Sequence, residues 1–407
     1  MIYDVIIIGA GAAGLFAAAN IDPGLSCLVL EKGPRPGRKL LTAGGGQCNI
    51  THGGNMRDFL THYGSHGKII RPILYAFSNA AVVRFFQNQG IALDERDDGK
   101  IFPASRNAED ILNALLEATD ERTVSFAYSA SVTDLRPPED EEPAYRVTAG
   151  GVLHRGKAVI VAPGGRSFPR TGSDGSIMPL LGRLQIPTIP QRPALAPITV
   201  KAYPYGRLSG ISFRDVRASI LVRDSGKSSV RRTGDLLLTH MGFSGPLMLE
   251  LSRYVAPGEL LSICYLPGED AGGIRRAIQN AASGNQRQIS TLLSERFPLP
   301  ARFLETVCQR AGVNPAERAS HVSGEAIGVI AVMLTGDIHS ISGTAGFETS
   351  MVTAGGVSLD AVDLRTLASR QYPGLYFAGE VLDVDGDTGG YNLQFAFSSG
   401  YVASRLQ

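Results

Sequence analysis

Three glycines near the start of the chain have a spacing that binds phosphate. Gly9, Gly11 and Gly14 fit the pattern G-x-G-x-x-G. The first glycine permits a tight turn, the second lets backbone approach a pyrophosphate, and the third allows a helix to pack closely on a strand. Glu31 ends the next apolar run, where a carboxylate can accept hydrogen bonds from ribose hydroxyls. The pattern predicts a dinucleotide site with a helix N-terminus facing the phosphates.

The elements that position these glycines form one strand–helix–strand unit. Tyr3–Ile8 is a β-branched apolar run typical of a buried parallel strand. Leu15–Asn20 continues as a helix of small residues, and Ser26–Leu30 is predicted as a second strand. An ordinary glycine-rich turn in an α/β core would lack this complete βαβ order.

A second glycine cluster follows shortly after. Gly44–Gly46 lies between the basic pair Arg38-Lys39 and the polar pair Cys48-Asn49. Backbone of this kind can lie against a planar ligand, while the two basic side chains can face phosphate. Apolar residues on both sides of the glycines argue against a mobile surface loop.

The C-terminal run Gly379–Gln394 carries a further ligand signal. A predicted strand ending at Glu380 can direct its carboxylate towards sugar or ribityl hydroxyls, and Gly389-Gly390 opens the last helix. The N-terminus of that helix would stabilise negative charge on a reduced flavin. The acidic residues of this run are irregularly spaced and do not match a calcium loop, so no metal site is predicted.

Bulk composition is that of a globular enzyme. The net charge is +1 and 43% of residues are hydrophobic, with no polybasic tail, so a nucleic-acid partner would have to contact a local patch. The four cysteines form no C-x-x-C pair, which predicts neither a disulfide framework nor a zinc site and fits a reducing cytosol.

Localisation follows from the absence of two signals. The apolar start lacks the basic n-region of a signal peptide. No run reaches the roughly 18 apolar residues of a membrane helix. We therefore predict a cytoplasmic protein without a membrane partner, and the sequence gives no sign of a stable protein partner.

Domain organisation is predicted from the change of periodicity along the chain. Asn107–Thr119 is predicted as a helix, Val124–Leu135 as one strand and Tyr145–Val161 as a hairpin. Short alternating runs then indicate a β-barrel over 191–266 and 335–352, and helical spacing covers 267–334. The remainder, 1–190 with 353–407, is predicted as one discontinuous Rossmann domain.

Four segments of the chain resemble those of a known family. Gly37–Asn49, GRKLLTAGGGQCN, resembles the G-R-K-x-L-x-S-G-G-G-R-C-N segment of the BaiN/YhiN-type FAD flavoproteins, which are often labelled aminoacetone-oxidase-like. Leu238–Pro246, Val352–Val357 and Gly379–Gln394 match the same family in the same order. The resemblance covers nearly the whole chain. It implies FAD, a glutathione-reductase-like FAD domain, an inserted β-barrel and a small helical insert, within the α/β class.

Two positions depart from the family pattern. Gln47 replaces the usual Arg, which bears on flavin or substrate contacts. Pro163 replaces the usual Thr and removes a hydroxyl and an N–H near the dinucleotide.

The resemblance implies a cofactor site drawn from both ends of the chain. The glycine loop should hold the pyrophosphate, Glu31 the ribose, Ser131 or Val132 the adenine through backbone, and the C-terminal run the ribityl chain and isoalloxazine. The predicted residues are Gly9, Gly11, Ala12, Ala13, Gly14, Glu31, Lys32, Arg38, Lys39, Gly44, Gly45, Cys48, Asn49, Ser131, Val132, Ala162, Gly164, Gly165, Gly379, Glu380, Asp385, Gly390, Tyr391, Asn392 and Leu393.

Two residues are candidates for catalysis. Cys48, if beside the flavin, could donate a proton or add to an electrophile, and its alternative role is packing of a small soft side chain. His240 lies in a Thr-His-x-Gly turn within a family motif, where it could act as an acid, a base or a substrate anchor. A structural hydrogen-bonding role is the alternative for His240.

The family's associated reactions give several functional hypotheses. They are reduction of conjugated C=C bonds in steroid-like acids, reduction of a uridine in large-subunit ribosomal RNA, and amine oxidation. We expect an FAD-dependent reductase of a conjugated C=C or C=N bond, acting on a small molecule. The alternatives are a ribosomal RNA uridine reductase, an amine oxidase and a non-enzymatic flavin-binding protein. The single dinucleotide motif means that NAD(P)H would bind transiently, or that a separate donor reduces the flavin.

Overall fold

The chain divides into two compact units. The computed structural model describes residues 1–140, 142–222 and 228–406. The first unit comprises Met1–Ala194 with Phe347–Gln407, and the second comprises Leu195–Gly346.

The first unit begins with alternating strands and helices. In chain order these are β1 (Ile2–Ile8), α1 (Ala12–Asn20), β2 (Cys27–Leu30), β3 (Thr51–His52), α2 (Met56–Phe59), α3 (Arg71–Ala76), α4 (Asn79–Asn88), β4 (Leu93–Glu95), β5 (Lys100–Pro103), α5 (Ala108–Asp120), β6 (Val124–Ala127), β7 (Val132–Arg136), β8 (Tyr145–Ala149), β9 (Val152–Val161), α6 (Met178–Arg183) and β10 (Thr188–Ala194).

The second unit combines a barrel with helices, after which the chain returns to the first unit. The second unit contains β11 (Ile198–Val200), β12 (Ser212–Leu221), β13 (Ser228–Leu238), β14 (Gly242–Ser244), α7 (Pro246–Leu251), β15 (Leu260–Cys264), α8 (Ala271–Ala282), α9 (Ile289–Arg296), α10 (Ala301–Arg310), α11 (Gly324–Gly336) and β16 (Asp337–Thr344). The first unit is completed by β17 (Val352–Val357), β18 (Leu375–Phe377) and α12 (Tyr391–Ser404).

A seven-stranded sheet forms the centre of the first unit. Its strand order is β6-β2-β1-β9-β8-β7, and β18 also pairs with β9. The β2, β1, β9 and β18 pairings are parallel, so their carboxyl ends lie at one edge. Val5–Ile8 is almost fully buried, as expected of a strand covered on both faces. The predicted Rossmann fold is confirmed.

Most of the predicted elements are present, and one prediction is wrong. The βαβ unit, the helix after Asn107 and the hairpin of β8 and β9 all form where the sequence indicates. Val124–Leu135 is not one strand. It breaks at Ser129, whose φ is +53°, into β6, which pairs in parallel with β2, and β7, which pairs antiparallel with β8.

The predicted barrel is present in the second unit. Its closed strand order is β11-β14-β13-β12-β15-β16. A buried polar cluster ties α10 to the barrel, because Arg310 donates to both carboxylate oxygens of Asp337 at 2.9 Å. Tyr205 also donates to Asp337, at 2.5 Å. Burial alone would raise the pKa of Asp337, but hydrogen bonds from His339 and Arg310 outweigh burial and lower it.

The helices of the described residues were compared with the length and hydropathy that a membrane-spanning helix needs. Within 1–140, 142–222 and 228–406, none is long and apolar enough to cross a bilayer.

The packing of α1 against α12 depends on a helical glycine. A Cβ placed on Gly400 would lie 2.5 Å from the carbonyl oxygen of Ala13. We predict that Gly400→Ala lowers the free energy of unfolding by about 1–3 kcal/mol, because the helices must separate. Gly182→Ala is the control, since its Cβ would meet nothing within 4 Å. There we expect about 0.4–1 kcal/mol of stabilisation. Equal urea unfolding curves for the two variants would contradict this account of the packing.

Candidate cofactor and active site

The glycine loop lies where the carboxyl ends of β1 and β9 meet. Gly9 has a φ of +101°, and a Cβ there would lie 2.5 Å from the carbonyl oxygen of Ala162. A Cβ on Gly14 would overlap the carbonyl oxygen of Gly9. Gly11, by contrast, has open space around its Cβ position and precedes α1 as its N-cap. The loop backbone is therefore tightly packed on the side of the sheet. On the other side there is open space, where a phosphate would accept hydrogen bonds from the first amides of α1, those of Ala12 and Ala13.

Glu31 fixes this loop from the end of β2. Its Oε2 accepts a hydrogen bond from the Ala10 amide at 2.8 Å, and its Oε1 accepts one from the Gly33 amide at 2.6 Å. A carboxylate has about four acceptor sites, so Glu31 can hold the loop and still accept from a ribose hydroxyl.

The second glycine cluster has the shape of a cradle. Gly44 and Gly45 have left-handed φ values of +58° and +67°, and the Cβ position of Gly45 has nothing within 4 Å. Asn49 is buried, and its Oδ1 has no hydrogen-bond partner. A buried amide oxygen without a partner is costly, and a ligand that donates hydrogen bonds would satisfy it. An isoalloxazine ring carries such an N–H group, so these residues fit FAD.

An ion pair joins the two predicted flavin segments. Lys39 Nζ lies 2.5 Å from Glu380 Oε2, although the two residues are 341 positions apart. The other oxygen of Glu380 accepts from the Thr353 amide at 2.7 Å. Gly379, just before Glu380, has a φ of +75°, and a Cβ there would lie 2.7 Å from the Cβ of Ala13. The structure thus brings the N-terminal and C-terminal motifs together.

The other two basic residues predicted to bind the cofactor, Arg38 and Lys32, contact the loop that follows β9. Arg38 donates to the carbonyl oxygen of Arg170 at 2.6 Å, and Lys32 forms an ion pair with Asp174. That loop contains Gly164, whose φ is +83°.

Ser131 and Gly165 also lie in the first unit, and their backbone carbonyls accept hydrogen bonds from other backbone amides of that unit. The carbonyl oxygen of Ser131 accepts from the Gly150 amide at 3.1 Å, and Val132 pairs with Ala149 between β7 and β8. The carbonyl oxygen of Gly165 accepts from the Gly175 amide at 3.1 Å.

The start of α12 is held by aromatic stacking and an amide side chain. The Tyr391 ring stacks on His62 with centroids 4.0 Å apart, and on His52 at 5.3 Å. Asn392 bonds both the amide and the carbonyl of Gly386, at 2.8 and 3.0 Å. Gly390 has a φ of +99° and precedes the helix as its N-cap, with Leu393 in its first turn. Asp385 lies in the same run and is also buried.

Cys48 lies at the end of the glycine cradle and is fully buried. Its φ is +59°, which is uncommon for a residue with a side chain, and its amide donates to the Ala43 carbonyl at 2.9 Å. Burial raises the pKa of the thiol to about 12. The thiol is therefore protonated near neutral pH, which disfavours nucleophilic addition by the thiolate.

His240 belongs to the second unit. It is exposed in the turn between β13 and β14, where the neighbouring Thr239 hydroxyl donates to the carbonyl of Gly242 at 2.9 Å. Its proposed role as an acid, a base or a substrate anchor stays a prediction.

Sequence reasoning missed three contributors to this site. It assigned nothing to His52 and His62, whose stacking on Tyr391 appears only in the folded chain. It also passed over Thr353, although Val352–Val357 was among the family motifs. The Thr353 hydroxyl accepts from the amides of Arg166 and Ser167, at 2.8 and 3.1 Å. Among the described residues, no group of three or more His, Cys, Asp or Glu side chains could hold a metal.

Comparison with known proteins extends over the whole chain. Residues 3–406 match the family described as "HI0933-like protein Rossmann domain". The chain is 32% identical over 404 residues to a ribosomal RNA dihydrouridine synthase of Haemophilus influenzae, covering 98% of this chain and 97% of that protein. It is 31% identical over 411 residues to a 3-dehydro-bile acid delta(4,6)-reductase of Clostridium scindens, with coverages of 98% and 97%.

A solved structure shares the fold. The 3-ketosteroid delta1-dehydrogenase from Sterolibacterium denitrificans, in complex with 1,4-androstadiene-3,17-dione, superposes with a TM-score of 0.51. The alignment covers 99% of this chain and 98% of that chain at 13% identity, so the likeness is one of fold alone.

The raised pKa of Cys48 predicts low chemical reactivity. Because the thiolate is the reactive species, we expect the native protein to resist N-ethylmaleimide at Cys48 under mildly alkaline conditions. Intact-mass and peptide mapping should show modification of Cys48 only after unfolding in urea, which serves as the positive control. Rapid labelling of Cys48 in the native state would contradict the buried, protonated thiol.

Proposed function

The chain belongs to the HI0933-like Rossmann family of FAD-dependent oxidoreductases, and we propose that it reduces the conjugated C=C bond of a uridine in ribosomal RNA. The observation that carries the reaction class is the alignment, over nearly the full chain, with relatives named for saturating such bonds. Dihydrouridine is uridine with its ring C=C saturated, and a delta(4,6)-reductase likewise saturates C=C bonds. The choice of uridine is supported by a second ribosomal RNA dihydrouridine synthase, of Escherichia coli, which is 31% identical over 404 residues, covering 99% of this chain and 97% of that protein.

The residues of the first unit fit the cofactor that this reaction needs. When bound, FAD supplies a hydride equivalent for transfer to carbon. The glycine loop at Gly11 would hold the pyrophosphate, and Glu31 would accept a hydrogen bond from the ribose. Asn49 Oδ1 would accept one from the ring, and the N-terminus of α12 would stabilise negative charge on the reduced cofactor.

Saturating a conjugated C=C bond requires a hydride on one carbon and a proton on its neighbour. We assign the proton to Cys48, because it lies in the cradle next to Asn49 and carries its proton near neutral pH, although burial makes the thiol a weaker acid than usual. Proton donation consumes the S–H bond and leaves a thiolate, which water must reprotonate before the next turnover.

The source of reducing equivalents is a separate question. The chain carries one dinucleotide motif, which FAD occupies in this proposal. NAD(P)H would therefore act by transient binding, and the alternative is another electron donor.

A steroid-like substrate is the second candidate. The bile acid reductase relative aligns as completely as the RNA-modifying relatives, and it supports a small 3-oxo substrate with C=C bonds conjugated to the carbonyl. Both candidates require the same hydride and proton placement, so only the recognition of substrate differs between them.

The RNA substrate is tested in cells. We predict that deleting the gene removes a dihydrouridine from large-subunit ribosomal RNA, as read by mass spectrometry of nuclease fragments. The intact gene should restore it, and a Gly14→Val variant should not, since that side chain would overlap Gly9. An unchanged dihydrouridine profile would exclude the RNA substrate. Turnover of a 3-oxo-Δ4,6 steroid by the purified protein would then support the second candidate.

The proposed acid is tested by stopped-flow kinetics. We expect Cys48→Ala to retain FAD and its rate of reduction, while oxidation by the substrate slows roughly 10²- to 10⁴-fold, the usual contribution of a general acid. Cys27→Ala is a matched control, because Cys27 is also buried and its pKa is also raised to about 12. Equal oxidation rates in both variants would leave Cys48 with a packing role alone.

A further inference from the structure

We propose that the hydroxyl of Ser173 is a ligand of the adenosine-diphosphate half of FAD, held in place by the Lys32–Asp174 ion pair. The inference rests on FAD binding by the first unit, as proposed above. Ser173 lies in the loop after β9, and neither it nor its chain neighbours Gly172 and Asp174 were predicted to bind the cofactor.

The position of Ser173 places it among the predicted adenosine-side residues. Its Oγ lies 2.8 Å from the point where Gly164 would carry a Cβ. The Cβ position of the adjacent Gly172 lies 4.0 Å from Glu31 Oε1. Glu31 in turn holds the Ala10 amide of the glycine loop. The Ser173 hydroxyl is thus near the carboxyl ends of β1, β2 and β9, where dinucleotides bind in open α/β sheets.

The hydroxyl of Ser173 has no partner within the protein. Ser173 is only 5% exposed, and its Oγ makes no hydrogen bond. Buried hydroxyls are normally paired, because burial removes their hydrogen bonds to water. Ser167, at the start of the same loop, shows the usual case, since its hydroxyl bonds Ser350 at 2.7 Å and Thr353 at 3.0 Å. A ligand oxygen would supply the bond that Ser173 lacks.

Contacts on both sides of Ser173 fasten the loop. Lys32 pairs with Asp174 and donates to the Ser176 hydroxyl at 3.2 Å. Arg38 donates to the Arg170 carbonyl at 2.6 Å. Burial alone would raise the pKa of Asp174, but hydrogen bonds from Lys32 and Ser176 outweigh it and lower the pKa, so the carboxylate stays charged near neutral pH. Asp174 is therefore a positioning residue that acts through Ser173.

The position of the hydroxyl selects the adenosine-diphosphate half. A serine hydroxyl can donate to a phosphate oxygen or accept from a sugar hydroxyl, and both halves of FAD carry such groups. Gly172, next to Ser173, neighbours Glu31, the predicted ribose acceptor, so the hydroxyl lies on the adenosine side of the predicted site.

The first test compares binding and stability in the full-length apo-protein. Ser173→Ala should raise the dissociation constant for FAD roughly 3- to 30-fold, measured by flavin fluorescence. The dissociation constant for ADP, measured by competition with FAD, should rise by the same factor. The melting temperature of the apo-protein should stay the same or rise, because the lost hydroxyl had no partner.

Ser167→Ala is the matched control for a structural role. Its hydroxyl is fully bonded, so this variant should lower the melting temperature of the apo-protein. Ser173→Ala behaving in the same way, with unchanged FAD affinity, would overturn the proposal. Weaker FAD binding with unchanged ADP binding would overturn the assignment to the adenosine half. Failure of the wild-type protein to bind FAD would instead overturn the proposed function itself.

A double-mutant cycle tests the part played by Asp174. Asp174→Asn should weaken FAD binding. Adding Ser173→Ala should weaken it little further, because both substitutions remove the same contact between Ser173 and FAD. Fully additive losses would show that Asp174 does not act through Ser173.

Discussion

Close backbone contact at the carboxyl edge of the sheet is the constraint on which the site depends. Gly9 approaches the carbonyl of Ala162 so closely that no Cβ fits between them, and the same holds where Gly14 packs on Gly9. Gly379 meets Ala13 from the other end of the chain. With these contacts made, α1 begins directly above β1, and its first amides face the open space at Gly11. A side chain at any of the closed positions would move the helix away from the predicted phosphate site.

The same edge carries both ends of the predicted dinucleotide site. Glu31 accepts from the glycine loop at one end, while the Lys39–Glu380 ion pair joins the cradle to the C-terminal run at the other. Two of the buried polar side-chain atoms that lack a partner among the described residues lie near these ends, Ser173 Oγ near Glu31 and Asn49 Oδ1 in the cradle. Buried groups of this kind are uncommon in folded proteins, and the position of these two, one near each end of the predicted site, supports cofactor binding.

The sequence predicted those parts of the site whose conformation depends on residues close together in the chain. The turn at Gly9–Gly14 and the strand ending at Glu31 depend on neighbouring residues, so their spacing identified them. The Lys39–Glu380 pair and the stacking of His62 on Tyr391 depend on segments that meet only after folding. The break of Val124–Leu135 has the same origin. Its first part pairs with β2 and its second part with β8, so the segment forms two strands although its sequence pattern is that of one. The burial that keeps the Cys48 thiol protonated likewise arises from packing and could not be derived from its motif.

The central claim is that the first unit binds FAD, and the visible absorption spectrum of the purified protein tests it most directly. We predict a yellow protein that releases a stoichiometric amount of FAD, rather than FMN, on denaturation. A colourless protein that cannot be reconstituted with FAD would contradict it.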